Sequence, residues 1–387
     1  RDLHLSIRRQ RQMCIRDRGN HIPEDVYIMG LTQMRPHLIE KTVEAFKGCK
    51  KGVIHAYIAP SELHMKQVFN LTADELVSTA VESTKLIRQL VEKLSNSDIR
   101  YEFSPEEFTD TSLDFSIKLC NEVFNAWENA TPEKPIIFNL PATVERRLPN
   151  QYADMIELFG RKISCRDSIL ISLHAHNDQG MAVAATELAL MAGADRVEGT
   201  LFGHGERTGN VDLVVCINNY LSRGIKTEID FSNLPEIAET VEHLTGLPVY
   251  YRQPYSGNYA FTAFSGSHQD AINKGMKKLF EAPKVFNMKW KVPYLHIDPA
   301  DIGRKYERLI RINSQSGKGG IAWVLDKDYG IDIPKFIQPE LGEYVQDFSE
   351  SVGREISSEE VYSIFEKNYM DIDNPYTLIR YLSLIHI

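Results

Sequence analysis

The sequence predicts an α/β protein built as a (β/α)8 barrel, of the TIM type, lacking its first two strands and followed by a small α-rich linker subdomain. Six strand-like segments alternate with helix-like segments, and polar residues follow nearly every strand. After residue 222 the alternation stops. The six predicted strands are 26–31, 52–58, 99–103, 135–140, 168–174 and 194–202.

The distribution of polar residues favours a closed barrel over an open sheet. An open doubly wound sheet gathers its site at one switch point, whereas a barrel spreads its site over all strand ends. A barrel needs eight strands, and one β-α-β unit takes about 30 residues. Residues 1–25 cannot hold two more units, so we expect the chain to lack the first two strands.

Local signals define several helices. Thr72 and Glu75 form a capping box, and an apolar stripe at helical spacing follows it. Pro149 suits the first turn of another helix. Further helices are predicted at 237–244, after Ser265, and twice within 338–370. The apolar residues of the two earlier helices are Leu76, Ala80, Ile87, Leu90, Val91, Leu94, Tyr152, Met155, Ile156 and Phe159.

Composition excludes several classes of protein. The 387 residues are 43% hydrophobic and carry a net charge of −9, so there is no overall basic field for nucleic acid. No apolar segment reaches the length of a membrane span. Five scattered cysteines without metal-type spacing predict reduced thiols and a cytoplasmic protein.

A His-x-His pair ends the fifth predicted strand. Side chains alternate along a strand, so Ser172, His174 and His176 point to one face. Two neutral imidazoles on one face can bind one divalent cation, and Asn210 adds an oxygen ligand from the next loop. The alternative is a pair of hydrogen-bonded polar histidines in the mouth of a barrel.

Seven motifs together resemble the 2-isopropylmalate synthase family, the Claisen-condensing metalloenzymes built on a TIM barrel. The resemblance covers about residues 20–369. The motifs are Leu31-Thr32-Gln33, Glu102-Phe103-Ser104-Pro105-Glu106, Asn139-Leu140-Pro141-Ala142-Thr143-Val144-Glu145, His174-Ala175-His176-Asn177-Asp178, Gly205-Glu206-Arg207-Thr208-Gly209-Asn210, Phe264-Ser265-Gly266-Ser267-His268-Gln269-Asp270 and the segment around Tyr294.

The resemblance implies that acetyl-CoA condenses with 3-methyl-2-oxobutanoate and that hydrolysis of the thioester releases CoA and 2-isopropylmalate, the committed step of leucine biosynthesis. It implies a divalent cation, Mg²⁺ or Mn²⁺ rather than Zn²⁺, which makes the keto carbonyl electrophilic. The matched metal ligands are His174, His176 and Asn210. The matched catalytic residues are Glu106, His268 and Tyr294, with the base and the acid not distinguished. The matched residues of the oxo-acid pocket are His55, Ser104, Asn139 and Thr143.

Two of these residues have simpler alternatives when considered alone. Thr143 could cap the helix that follows it, and Glu106 could be a solvated carboxylate of a loop. The chain also departs from the family pattern. The family carries an Arg-Asp-Gly-Asn motif after its first strand, and residues 16–20 do not supply it, because the strand at 26 starts too soon after them.

The expected domain organisation is a non-native or disordered end at 1–19, a partial barrel at 20–245, a linker subdomain at 246–310, a helical subdomain at 311–375, and a second such end at 376–387. The family's leucine-binding domain is expected to be absent. Because residues 16–20 do not supply the Arg and Asp of the family's first-strand motif, we expect the 387-residue chain to be inactive alone. The complete enzyme is expected to be a homodimer that does not bind nucleic acid or membranes.

Other functions remain open from sequence alone. Homocitrate or citramalate synthase fits the same class, because the pocket selects the oxo acid. A CoA-independent, metal-dependent lyase or aldolase could use the same barrel. The chain could also be a fragment without activity.

Overall fold

A computed structural model describes residues 22–94, 96–281, 290–306, 318–354 and 356–370. The expectations for 1–19 and 376–387, and the segment 16–20, lie outside the described residues. The chain divides into two compact units between Asn219 and Tyr220. The finer domain boundaries stay a prediction.

The first unit is an alternation of strands and helices, and the second is mainly helical. The strands are β1 Ile28–Gln33, β2 Lys51–Ile58, β3 Asp98–Pro105, β4 Ile136–Ala142, β5 Ile169–Ala175 and β6 Arg196–Glu198. The helices are α1 Pro36–Ala45, α2 Ala73–Val91, α3 Leu113–Trp127, α4 Pro149–Lys162, α5 Ala182–Met191, α6 Leu213–Ser222, α7 Leu234–Thr245, α8 Gly266–Glu281, α9 Lys318–Tyr329, α10 Gln338–Val352 and α11 Ser358–Phe365.

The six strands form one parallel sheet in the order β1-β2-β3-β4-β5-β6. In a doubly wound sheet the order reverses at a switch point, whereas a barrel adds each strand next to the previous one. The sequential order is therefore that of a barrel, curled here as a six-stranded half-barrel. The predicted fold class is confirmed.

The sheet has one apolar face and one polar face. Along β3, Tyr101 and Phe103 lie in the apolar core, and the alternation of side chains puts Glu102 and Ser104 on the opposite face. The helices cover the apolar face, since the aromatic rings of that core include Phe159 of α4. The polar side chains of the strands therefore lie together on the face of the sheet that the helices do not cover.

The predicted helix signals are borne out in place. Thr72 and Glu75 make the reciprocal capping box at the start of α2, and Pro149 is the first residue of α4. Of the α2 stripe, Leu76, Ala80 and Ile87 are buried and the remaining members pack partly buried against the core.

The sixth strand is shorter than predicted. The sequence indicated a strand over 194–202, but β6 ends at Glu198. Thr200 instead exchanges backbone hydrogen bonds with the segment that leads into α6, donating to Val211 and accepting from Leu213. Phe202 then takes a left-handed backbone conformation, with φ of 60°. The apolar run continues past the strand because Phe202 is buried in a turn.

The second unit has its own apolar core. Helices α9, α10 and α11 pack together, and the prediction of two helices within 338–370 is confirmed. The buried residues of this core are Ile321, Val324, Leu325, Ile333, Leu341, Val345, Ile356, Val361 and Phe365. Among the described residues, no helix is both long enough and apolar enough to cross a membrane.

Three loops at the carboxyl ends of the strands are tied by charged side chains. Asp178 accepts two hydrogen bonds from Arg207, at 2.7 and 3.1 Å, and one from the backbone N–H of Glu145 at 2.9 Å. The buried Glu145 carboxylate accepts from the backbone N–H groups of Gln179 and Met181. The loops after β4, β5 and β6 therefore hold one another in place.

The loop after β6 folds back closely on itself. Gly209 has a φ of +94°, and a Cβ there would lie 1.8 Å from the carbonyl oxygen of Gly203. Its own carbonyl accepts from the N–H of Asn177 at 2.9 Å. A glycine is required at this position both by backbone conformation and by space.

Replacing Asp178 by Asn should lower the free energy of unfolding by about 1 kcal/mol at pH 6, since Arg207 is partly exposed. The Arg207 guanidinium holds the pKa of Asp178 at about 2, below its ordinary value of 3.8. A depressed pKa stabilises the fold above the ordinary value, and this stability is lost as the pH falls toward 2. Denaturant unfolding of wild type and variant should converge between pH 4 and pH 2. A difference independent of pH, or one shared by Asp154→Asn on the exposed side of α4, would contradict this assignment.

Replacing Gly209 by Ala should destabilise the first unit by at least about 3 kcal/mol, because left-handed strain adds to a backbone clash. Gly180 is the matched control: its φ is +81°, but a Cβ there meets nothing within 4 Å. Gly180→Ala should cost only about 1 kcal/mol. Equal losses in thermal unfolding would show that the contact with Gly203 does not constrain the loop.

Candidate active site

A hydrogen-bonded row of polar side chains crosses the polar face of the sheet. His55 Nε2 lies 2.7 Å from Ser104 Oγ, and Asn139 Nδ2 donates to the same hydroxyl at 3.0 Å. All three residues are buried, and burial lowers the pKa of His55 to about 4. The structure thus brings together three of the four residues matched to the oxo-acid pocket, with the imidazole neutral at pH 7.

Thr143, the fourth pocket residue, is tied to the loop after β3. Its hydroxyl oxygen accepts from the backbone N–H of Glu107 at 2.8 Å, where the backbone is left-handed with φ of 57°. Thr143 lies ahead of α4, which begins at Pro149, so it does not cap that helix. Its O–H remains able to donate to another acceptor.

Glu106 lies beside this left-handed residue and is partly buried. Burial raises its pKa, and the negative charges of Glu107 and Glu206 add to the effect while His64 opposes it. A carboxylate with a raised pKa is a stronger base than a solvated one. The raised pKa fits a chemical role for Glu106, and its assignment as a catalytic residue stays a prediction.

A cluster that was not predicted fixes the same loop. The carboxylate of Glu107 lies 2.6 Å from His64 Nδ1 and accepts from the hydroxyl of Ser61 through the same oxygen. Ser and Glu both meet one ring nitrogen of His64, so the three residues do not form a relay for a nucleophile. They hold the turn that carries Glu106.

The candidate metal ligands lie at the adjoining edge. The rings of His174 and His176 are 5.3 Å apart, and His174 Nε2 is 3.0 Å from Asn210 Nδ2. His176 and Asn210 are also paired through an isolated β-bridge. Burial, with His174 nearby, lowers the pKa of His176 to about 4, so the imidazole is neutral at pH 7.

These residues fit a bound cation. His176 Nδ1 is buried and has no hydrogen-bond partner among the described residues. A buried polar atom without a partner is costly, and a neutral imidazole nitrogen of this kind is what a metal requires. The three predicted ligands thus lie close together, and in the part of the chain that the structure describes the Nδ1 atom of His176 has no hydrogen-bond partner that would compete with a cation.

Three charged residues beneath this edge were not identified from sequence. Arg196 Nη1 lies 2.7 Å from Glu198 and 3.3 Å from Glu102, and it donates to Ser172 Oγ at 2.8 Å. Glu198 in turn meets His174 Nδ1 at 2.9 Å. Arg196 and Glu198 are two positions apart on β6, and this spacing predicts that their side chains share one face of the strand. The sequence could not identify their other partners, because these lie on other strands.

The two carboxylates share this environment unequally. Burial, and then the charge of Glu198, raises the pKa of Glu102 well above its ordinary value. Burial alone would raise the pKa of Glu198 as well, but hydrogen bonds from His174 and Glu102 outweigh it and hold that pKa below the ordinary range. Two close carboxyl groups separate in this way when one keeps the proton.

The donor atoms of His55, Glu102 and Glu198 lie within 4.8 Å of one another, close enough to hold a cation. Arg196 already supplies a positive charge to both carboxylates. We interpret this group as a buried ion-pair network under the histidine edge.

The second unit brings His268 and Tyr294 together. Their rings stack with centroids 4.1 Å apart at 23°, and both residues are exposed. Tyr294 has a φ of 62°, and 63% of its surface is accessible. The sequence placed these residues 26 positions apart without indicating this contact.

Two family profiles match the chain. Residues 14–241 match the family described as HMGL-like, and residues 258–326 match the family described as alpha-isopropylmalate synthase, post-catalytic domain-like. These matches fall on the barrel-like unit and on the segment that contains His268 and Tyr294.

Curated relatives named 2-isopropylmalate synthase are similar over most of the chain. One from Ralstonia nicotianae is 50% identical over 357 residues, which are 92% of this chain and 61% of the relative. One from Clostridium acetobutylicum is 47% identical, covering 93% of this chain and 64% of the relative. One from Saccharomyces cerevisiae is 49% identical, covering 92% and 58%.

The chain spans about three fifths of the length of these relatives. The resemblance read from the motifs is confirmed by these matches. Since the HMGL-like profile covers more than half of the 387 residues, this chain belongs to the HMGL-like family.

Proposed function

We propose that this chain carries the catalytic region of a 2-isopropylmalate synthase, which condenses acetyl-CoA with 3-methyl-2-oxobutanoate and releases CoA. The observation that carries the proposal is the convergence of His174, His176 and Asn210 beside the buried row of His55 and Ser104. Identity of about 50% to proteins of that name over 92% of the chain supports it.

His174, His176 and Asn210 would hold a divalent cation, Mg²⁺ or Mn²⁺ in preference to Zn²⁺. When bound, the cation polarises the keto carbonyl of the oxo acid. The pKa of about 4 for His176 supports this role, because the ring needs no deprotonation before it binds metal at neutral pH.

The residues His55, Ser104, Asn139 and Thr143 would line the oxo-acid pocket. Ser104 already accepts from Asn139, and its distance of 2.7 Å from the neutral His55 fixes its position. A pocket of neutral, mutually bonded groups orients a substrate without adding a second negative charge beside its carboxylate.

The condensation requires a base for the acetyl methyl proton and a donor for the developing alkoxide. Glu106 is a candidate for the base because its burial raises its pKa. His268 and Tyr294 are the other proposed catalytic residues, on the strength of the motif resemblance. Their stacking supports the idea that the two act as a pair. The proton passes from the methyl carbon to the base, the resulting carbanion equivalent attacks the keto carbon, and the donor protonates the alkoxide that forms. Water then hydrolyses the thioester, which releases CoA.

We further propose that the protein acts in the cytoplasm as a homodimer. We also propose that residues 20–245 form the catalytic barrel region, followed by linker and helical subdomains at 246–310 and 311–375. The division of the described chain after Asn219 supports separate catalytic and helical parts.

The substrate assignment is tested by kinetics on the protein encoded by the complete reading frame that contains this chain. The value of kcat/KM should be at least about tenfold higher for 3-methyl-2-oxobutanoate than for pyruvate or 2-oxoglutarate, because pocket shape discriminates at that level. CoA release without any oxo acid gives the background. A preference for either competitor would refute the assignment.

The metal assignment is tested in the same protein by His176→Ala. Loss of one neutral ligand should raise the Mn²⁺ concentration for half-maximal activity at least about tenfold and reduce kcat. The control is His37→Ala, which removes an exposed imidazole at the start of α1. If both variants keep the wild-type Mn²⁺ titration, His176 is a structural histidine.

A further inference from the structure

We propose that Glu198 is a positioning residue that fixes His174 as the Nδ1–H tautomer and so directs the lone pair of Nε2 toward the cation site. This inference rests on the proposed metal role of His174. It concerns a residue that neither the sequence motifs nor the family matches single out.

The contact between the two side chains follows from strand register. His174 on β5 and Glu198 on β6 are direct partners in the parallel ladder. Their side chains meet with Nδ1 of the ring 2.9 Å from Oε2 of the carboxylate. An ionised carboxylate can only accept, so the ring must carry its hydrogen at Nδ1. A neutral ring then has its lone pair at Nε2.

Glu198 is itself held at several points. Oε1 accepts from Arg196 Nη1 at 2.7 Å, and Oε2 also accepts from Asn139 Nδ2 at 3.1 Å. Only 13% of the Glu198 side chain is exposed. Arg196 is anchored in turn by Ser172, the strand partner opposite it. The carboxylate therefore has little freedom to rotate away from the imidazole.

The second ring nitrogen of His174, Nε2, faces the other proposed ligands and accepts a hydrogen bond from Asn210 Nδ2, which a cation would replace. Nε2 lies 3.0 Å from the side-chain amide of Asn210, and the His176 ring is 5.3 Å away. His176 has no comparable support, because its buried Nδ1 lacks a partner within the described residues. Of the two imidazoles, His174 is the one whose hydrogen position is set before any cation arrives.

The same contacts argue against Glu198 as a direct ligand. Both of its oxygens already accept hydrogen bonds, and Arg196 places a positive charge against it. A cation held by His55, Glu102 and Glu198 would face that guanidinium at close range. A carboxylate that orients a metal-binding histidine from behind is a common arrangement, and its loss typically weakens metal binding about 10–100-fold.

The test uses the 387-residue chain labelled with ¹⁵N-histidine, with the His174 signals assigned by their loss in His174→Gln. In the wild type, His174 should show a protonated Nδ1 and an unprotonated Nε2 by long-range ¹H–¹⁵N NMR at pH 7.5. Glu198→Ala should shift the ring toward the Nε2–H tautomer. Glu198→Gln retains an acceptor oxygen and should keep Nδ1–H.

Metal affinity provides the second readout, by Mn²⁺ titration with water-proton relaxation on the protein encoded by the complete reading frame that contains this chain. Glu198→Ala should weaken Mn²⁺ binding about 10–100-fold, with partial rescue in Glu198→Gln. The control is Asp195→Asn, which removes the carboxylate just before β6 that pairs with Arg166 and does not contact His174. Asp195→Asn should leave both readouts unchanged.

The outcomes separate the two hypotheses. An Nδ1–H tautomer that persists in Glu198→Ala, or an equal change in Asp195→Asn, would overturn the positioning role. If the wild-type protein of the complete reading frame binds no Mn²⁺, the metal role of His174 fails, while the tautomer still decides the role of Glu198. Should Glu198→Ala not fold, a wild-type ring with its hydrogen on Nε2 would overturn the proposal by itself.

Discussion

Arg196 lies between two buried carboxylates, and the polar face of the sheet depends on that arrangement. Glu102 is fully buried and Glu198 nearly so. Removing the Arg196 guanidinium would leave the negative charge of Glu198 uncompensated, which costs about 3–5 kcal/mol when one partner of a buried pair is lost. Because Glu198 also meets His174, the same guanidinium that balances the charge supports the edge where the proposed ligands meet.

Two histidines of the polar face stay neutral. His55 and His176 both have a pKa near 4 because burial disfavours their charged forms. His174 meets Glu198, and its other nitrogen is directed at Asn210. Burial thus keeps His55 and His176 from being cationic, and the separate negative charge of Glu198 is balanced by Arg196. Such a surface accepts a divalent cation without first losing protons.

The loops above this face are held by bonds between them rather than by regular structure. Glu145 and Asp178 connect the loops after β4 and β5, and Arg207 adds the loop after β6. Thr143 joins this group to the turn at Glu107. Glu107 and Arg207, whose backbones are left-handed, are held by Thr143 and Asp178. These contacts keep the nearby Glu106 and Asn210 in fixed places.

The sequence by itself determined the elements and the direction of their side chains. Alternation placed Ser172 and His174 on one face, and the capping box at Thr72 fixed the start of α2. Local chemistry carries these signals, so they need no knowledge of distant partners. The Arg196 network depended instead on tertiary structure, because Glu102 and Arg196 are 94 positions apart and meet only through the arrangement of the four strands β3 to β6. The end of β6 at Glu198 was also decided there, since Thr200 found its backbone partners at Val211 and Leu213 rather than in the sheet.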